Sequence, residues 1–272
     1  MATLVAPSSA GPAGDPTPAA AHAPGALAPS PIEALLGTYK RAPMRLVRGE
    51  GITLYDDAGR AYVDFTSGIA VNALGYGDAG FAQAVQEALT SGLVHVSNLF
   101  RTEPGERLAA WLVERSFAAR AFFCNSGAEA NEGAFKFARR WARTLVPAGA
   151  DEAPGPFGAC AKHEIVSLRG AFHGRTMGVL AATDRAAYRA PFRPLAGGVT
   201  IAERDATELS ATLDAERVCA VIVEPVQGEG GVRVVDHGLL RELRALCTER
   251  QIALIFDEIQ CGLGRLGALF AY

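Results

Sequence analysis

From residue 120 to residue 258 the chain alternates short unbroken apolar runs with longer stretches whose apolar residues recur at helical spacing. The runs RAFFC (120–124), EIVSL (164–168), CAVIVEP (219–225) and IALIFDE (252–258) predict strands. Ala128–Thr144 and stretches near 206–214 and 238–250 predict helices. The strand runs are continuously apolar at their centres, without polar residues at alternate positions. That is the pattern of strands covered by helices on both faces. The alternation implies an α/β fold with a mostly parallel sheet. Upstream, GITLYDDAGRAYVDF (51–65) reads as two strands joined at the turn Asp56-Asp57-Ala58-Gly59. Helical patterns follow at about 78–91 and 104–116. Residues 1–30 are mostly Ala, Pro, Gly and Ser without a single Lys or Arg, and predict a disordered tail.

In an open parallel sheet, ligands bind beyond the carboxyl ends of the strands. The run at 120–124 stops at Asn125-Ser126-Gly127-Ala128-Glu129, just before a predicted helix. The unpaired N–H groups and positive dipole of a helix start suit a phosphate. Ser126 and Glu129 also have the spacing of a capping box, which alone accounts for both. Gly127 favours the ligand, because a missing side chain lets it approach the backbone. The run at 164–168 leads to Arg169-Gly170-Ala171-Phe172-His173-Gly174-Arg175-Thr176. Phe172 could stack on a planar ring, and Arg175 could clamp a carboxylate with paired hydrogen bonds. The ordinary alternative is a core Phe, a solvated His and a surface Arg, and for His173 that alternative is preferred. Glu224 and Asp257 each stand where an apolar run stops, one strand–helix–strand unit apart, so they can occupy neighbouring strands.

Composition narrows the chemistry. With 272 residues, 49% of them hydrophobic, the chain can bury a substantial core. A net charge of -3 gives no reason to expect nucleic acid or an acidic membrane as partner. No apolar run approaches membrane-spanning length, and no secretory or transit pattern is present, so a cytoplasmic location is expected. The cysteines at 124, 160, 219, 247 and 261 form no CxxC pair and are expected to be buried free thiols. The five histidines show no HxxxH spacing, so no metal site is expected. The lysines are Lys40, Lys136 and Lys162, and none follows a glycine, which excludes a phosphate-binding GxxxxGK[ST] loop. Gly262-x-Gly264-x-x-Gly267 follows Asp257, but no helix start is evident after it, so a nicotinamide site is rejected. The remaining option is that Asp257 faces the ring nitrogen of pyridoxal phosphate and keeps it protonated.

Taken together, four motifs resemble the class III pyridoxal-phosphate aminotransferases: Asn125–Asn131, Phe172–Thr176, Val223–Gly231 and Phe256–Gln260. Gly68–Gly75 and His95–Phe100 resemble the acetylornithine branch most. The resemblance implies fold type I of the PLP-dependent transferases. Residues 31–75 would start the small domain and 76–272 would form an incomplete PLP-binding large domain. Ser126, Gly127 and Ala128 would hold the cofactor phosphate. Phe172 would stack on the ring, Asp257 would pair with its nitrogen, and Gln260 would approach its hydroxyl. Arg175 would bind the substrate α-carboxylate, and Glu224 would lie on the substrate side, holding an arginine between half-reactions. The implied reaction moves an amino group from N-acetylornithine to 2-oxoglutarate, in arginine synthesis, in a homodimer. Ornithine, succinylornithine and 4-aminobutyrate aminotransferases are the nearest alternatives.

Two departures stand out. The family's Gly-His-x-His-Pro-like stretch reads Gly75-Tyr-Gly-Asp-Ala-Gly80 here, and no lysine occurs after Lys162. The Schiff-base lysine belongs after the strand that follows Asp257. The chain is therefore expected to be an inactive fragment of the aminotransferase, with a non-catalytic PLP-binding or regulatory subunit as the alternative.

Overall fold

The computed structural model describes residues 34–146 and 162–272. The predicted tail at 1–30, and Cys160, lie outside the described residues. The chain divides into two compact units, Met1–Arg45 and Leu46–Tyr272. Residues 34–45 of the first are turns and exposed coil. Everything below concerns the second unit.

Three antiparallel strands come first: β1 (Leu46–Glu50), β2 (Thr53–Asp56) and β3 (Ala61–Val63). The β2–β3 hairpin is the predicted one, and β1 is an addition to it. Asp56 closes its turn. One carboxylate oxygen accepts from the amides of Ala58 and Arg60, and the other from the Arg60 guanidinium and the Tyr62 hydroxyl. A single turn follows, α1 (Ser67–Ala70), with Gly68 and Ile69 in left-handed conformation. Then come α2 (Ala79–Thr90), capped by Asp78, and α3 (Glu103–Glu114).

The second half forms a four-stranded parallel sheet in the order β5-β4-β6-β9. Its strands are β4 (Glu164–Leu168), β5 (Val199–Ala202), β6 (Val218–Val223) and β9 (Ala253–Phe256). The helices are α4 (Gly127–Arg143), α5 (Met177–Ala182), α6 (Ala186–Arg189), α7 (Ala206–Thr212) and α8 (His237–Glu249). A small hairpin, β7 (Val226–Gln227) with β8 (Arg233–Val234), sits between β6 and α8. Every residue of β6 is buried, as a strand covered on both faces must be. On one face Val221 and Val223 pack with Leu209 of α7 and with Leu240 and Leu243 of α8. On the other, Ala220 and Ile222 pack with Phe135, Ala138 and Ala142 of α4 and Val179 of α5. Each fully buried aliphatic side chain contributes about 1.5–3 kcal/mol.

The α/β expectation holds, but RAFFC (120–124) forms no strand. The segment is exposed, including Phe122 and Phe123. A strand needs a backbone neighbour to complete its ladder. A cleft of about 650 Å³ lies between residues 118–123 and Glu258, Ile259, Gly262 and Leu263, so no described strand reaches the segment. For the same reason Cys124 is exposed, contrary to the expectation for a thiol in an apolar run, while Cys219, Cys247 and Cys261 are buried as expected. The strand β5 and helix α5 were not expected from the apolar pattern.

Candidate functional site

The site is built where β6 and β9 stop. Val223 pairs with Phe256, so the next residues, Glu224 and Asp257, emerge side by side. Both are only 6% exposed. The loop after β4 crosses over them. Its turn needs Gly170, whose φ is +81°. The Gly170 amide donates to Asp184, and the buried Gln227 side chain donates to the Arg169 carbonyl. The loop then brings the Phe172 amide to Glu224 Oε2, 3.1 Å away.

Asp257 is held from three sides. Its Oδ2 accepts from Asn131 Nδ2 at 2.8 Å and lies 2.8 Å from His173 Nδ1. Its Oδ1 accepts from the Ile259 amide at 3.1 Å. Asn131 also donates to the His173 carbonyl at 2.9 Å, joining α4, the loop and the β9 end. The His173 amide donates to Thr183 Oγ1, and that hydroxyl donates to the Gly174 carbonyl. His173 is 2% exposed, which corrects the expectation of a solvated histidine. The apolar pattern gave no hint of this, because the contact that buries it spans 84 residues of chain. In the sequence Asn131 stands only as part of the Asn125–Asn131 motif. A signal for it does exist: it precedes Phe135, Ala138 and Ala142 on the buried stripe of α4, where an unpaired amide would be costly.

The start of α4 lies against the same region. Ser126 caps it by accepting from the Glu129 amide at 3.2 Å. The return bond of the expected capping box runs from the Asn125 amide to Glu129, one residue earlier than the motif predicts. Gly127 and Ala128 supply the first two helical N–H groups, which have no acceptor within the helix. Gly127 packs against Ile259 so tightly that an added Cβ would lie 2.8 Å from it. Gly174 meets Ala128 in the same way, at 2.9 Å. Two glycines thus bring the loop and the β9 end onto the helix start.

The other candidate residues surround this centre. Phe172 is half-buried and edge-on to Tyr188, with ring centroids 6.3 Å apart. The exposed Arg175 guanidinium lies 4.8 Å from the Tyr188 ring and 5.4 Å from the Phe172 ring. Gln260 occupies the space that a side chain at Gly228 would need. Glu224 keeps its proton more tightly than usual. Burial first, and then the nearby carboxylates of Asp257 and Glu229, push its pKa up to about 8 against the Phe172 hydrogen bond. The lysines of this unit lie elsewhere. Lys162 donates to the Arg250 carbonyl and stands before the amino end of β4. Lys136 is exposed on α4, nine residues past Gly127, or roughly 13 Å along the axis at the helical rise.

The residues present fit pyridoxal phosphate. The helix start offers N–H groups to an anion, Phe172 offers a ring face, and Asp257 Oδ1 retains acceptor capacity. Among the described residues no group of His, Cys, Asp and Glu could hold a metal. No helix among them is long and apolar enough to cross a membrane.

Comparison with known proteins agrees. The family model for aminotransferase class-III matches residues 37–272. The chain is 47% identical over 239 residues to a mitochondrial acetylornithine aminotransferase of Alnus glutinosa, covering 88% of this chain and 51% of that protein. It is 45% identical over 240 residues to a succinylornithine transaminase of Yersinia enterocolitica, covering 88% and 56%. Its structure is similar to that of the ornithine aminotransferase of Toxoplasma gondii, whose active site carries PLP at partial occupancy. That match has a TM-score of 0.77 at 28% identity and covers 88% of this chain and 54% of the other. The chain thus spans about half the length of the curated relatives it matches.

Proposed function

The chain belongs to the class-III aminotransferases, and from that premise we propose that it forms the cofactor-facing part of a pyridoxal 5'-phosphate transaminase. The proposed enzyme transfers an amino group from N-acetylornithine, or a related ω-amino donor, to 2-oxoglutarate in arginine biosynthesis. One observation carries the reading: Asp257, Phe172 and the start of α4 meet at the carboxyl ends of β6 and β9 through contacts between distant chain segments. The similarity to acyl-ornithine transaminases supports the choice of donor.

When bound, the cofactor supplies an electron-withdrawing ring that spreads the charge left at a substrate carbon. The chain's residues orient and hold it. The Gly127 and Ala128 amides, with the Ser126 hydroxyl, receive the phosphate. Phe172 covers one ring face. Asp257 accepts the N–H of the ring nitrogen and so keeps a proton there. Gln260 reaches the ring hydroxyl. Arg175 binds the substrate α-carboxylate, its guanidinium set over the Phe172 and Tyr188 rings. Glu224 lies on the substrate side, where it holds an arginine between half-reactions. The Schiff-base lysine is not among these residues, and the proposal concerns the whole enzyme that supplies it. We read that enzyme as a cytoplasmic homodimer. The exposed apolar stripe Phe81, Val85 and Leu89 on α2 supports association with a second copy.

The position of Lys136 and Lys162 favours a second reading, a subunit that binds PLP without catalysis. Borohydride reduction of the protein isolated from its source, with PLP present, followed by peptide mapping, separates the two. A pyridoxyl-lysine beyond Tyr272 supports the transaminase. No adduct, with a native mass of 28.5 kDa, supports the binding subunit. A kcat/KM favouring 4-aminobutyrate over N-acetylornithine would overturn the choice of donor.

A further inference from the structure

Two buried carboxylates stand side by side at the strand ends, and the structure treats them differently. Glu224 takes its recorded hydrogen bond from one backbone amide. Asp257 receives two side-chain donors and one amide. The distribution between its oxygens is uneven. Oδ2 takes both Asn131 Nδ2 and His173 Nδ1, while Oδ1 takes only the Ile259 amide. A carboxylate oxygen accepts about two hydrogen bonds, so Oδ2 is saturated and Oδ1 has one place left.

His173 can serve Oδ2 in only one way. Its Nε2 is buried and has no hydrogen-bond partner among the described residues. A proton on Nε2 would be a buried donor without an acceptor, and would leave a lone pair on Nδ1 facing Asp257. The Nδ1–H tautomer avoids both costs. Asn131 is fixed in turn: it sits on the buried face of α4, and its two amide hydrogens are divided between the His173 carbonyl and Asp257.

We infer that Asn131 and His173 are positioning residues that saturate Oδ2 of Asp257 and so present Oδ1 to the N–H of a pyridinium ring. The inference rests on the cofactor reading above and adds what sets the acceptor. Neither residue touches the ring. Each acts by denying Asp257 any other orientation. Glu224, Glu229, Glu258, Cys261 and Arg185 are other titratable groups near these strand ends, and the recorded donors to Oδ2 are Asn131 and His173 alone.

The test uses the whole 272-residue chain and pyridoxamine 5'-phosphate labelled with 15N in the ring, a probe that needs no lysine. The bound ring nitrogen should hold its proton at a pH where the free probe has lost it. In Asn131→Ala and in His173→Phe the bound ring should lose that proton at a pH about one unit lower. The 31P signal of the phosphate should not change. A merely structural role would move the phosphate signal or the fold, and leave the ring titration where it was. His173→Phe keeps the ring volume should Asn131→Ala not fold. Ring titrations equal to wild type in folded variants would overturn the inference. In the ligand-free chain, 1H–15N couplings of His173 should show the Nδ1–H tautomer, and finding Nε2–H would overturn it too. If the wild-type chain leaves the probe free, these residues do not hold the cofactor by themselves, and the role of Oδ1 in this chain fails. The tautomer still judges the clamp by itself.

Discussion

The two halves of the Leu46–Tyr272 unit are made in opposite ways. In the parallel sheet, β6 is buried along its whole length, and helices close both faces. Between residues 46 and 130, by contrast, Asp56 is the one residue that is buried. The helices α2 and α3 are regular and amphipathic, yet bury no residue at all. Helical periodicity is a local property, but burial of the apolar stripe needs a second surface. The sheet region supplies that surface itself. The upstream region leaves its stripe open, with Phe81 63% exposed and Leu89 56% exposed.

The sharpest way to break this comparison is a core truncation. Ile222→Ala removes a fully buried side chain, and should cost about 2–5 kcal/mol in urea unfolding. If it costs less than about 1 kcal/mol, β6 is not the centre of the folded unit.

The second test is electrostatic and acts at the seam of the two functions of the sheet, stability and chemistry. The folded pKa of Glu224 is raised from 4.5 to about 8. Between those values the folded state holds a proton that the unfolded chain has released. The stability contributed by this group is therefore complete below pH 4.5 and is lost as pH rises through about 8. Unfolding free energy should fall on the order of a few kcal/mol across that window. Glu224→Gln should flatten the slope, and an unchanged slope would show that Glu224 ionises normally.

A smaller effect is expected at the loop that joins the sheet to the start of α4. Gly174 has φ +126° and packs on Ala128. Gly174→Ala should cost about 1–3 kcal/mol and weaken pyridoxamine phosphate binding, read by calorimetry. The smallest effect belongs to the open helix. Phe81→Ala should change monomer stability by less than about 0.5 kcal/mol. It should weaken any self-association seen by analytical ultracentrifugation, and a cost like that of Ile222→Ala would mean α2 is packed in solution.

Much of this was legible beforehand, for reasons that differ by element. β4 matched its predicted limits because EIVSL carries three apolar residues, is buried from Ile165 onward and has a neighbour on each side. RAFFC also carries an apolar run but has no strand neighbour among the described residues, and the segment is exposed. In the site, Glu224 and Asp257 were placed correctly on adjacent strand ends, since strand–helix–strand spacing decides that. His173 is buried and not solvated, because burial of a histidine depends on what folds over it.

The sequence by itself determined the strand–helix–strand unit from β6 through α8 to β9, the helix start at Ser126 and the carboxylates at the strand ends. These depend on short-range periodicity and on caps whose partners lie within a few residues. Only the tertiary structure decided that Asn131 and His173 converge on one oxygen of Asp257, across 126 and 84 residues of chain. Such hydrogen bonds leave no periodic trace. They exist because burying Asp257 unpaired would be costly, and the fold must bring donors to it.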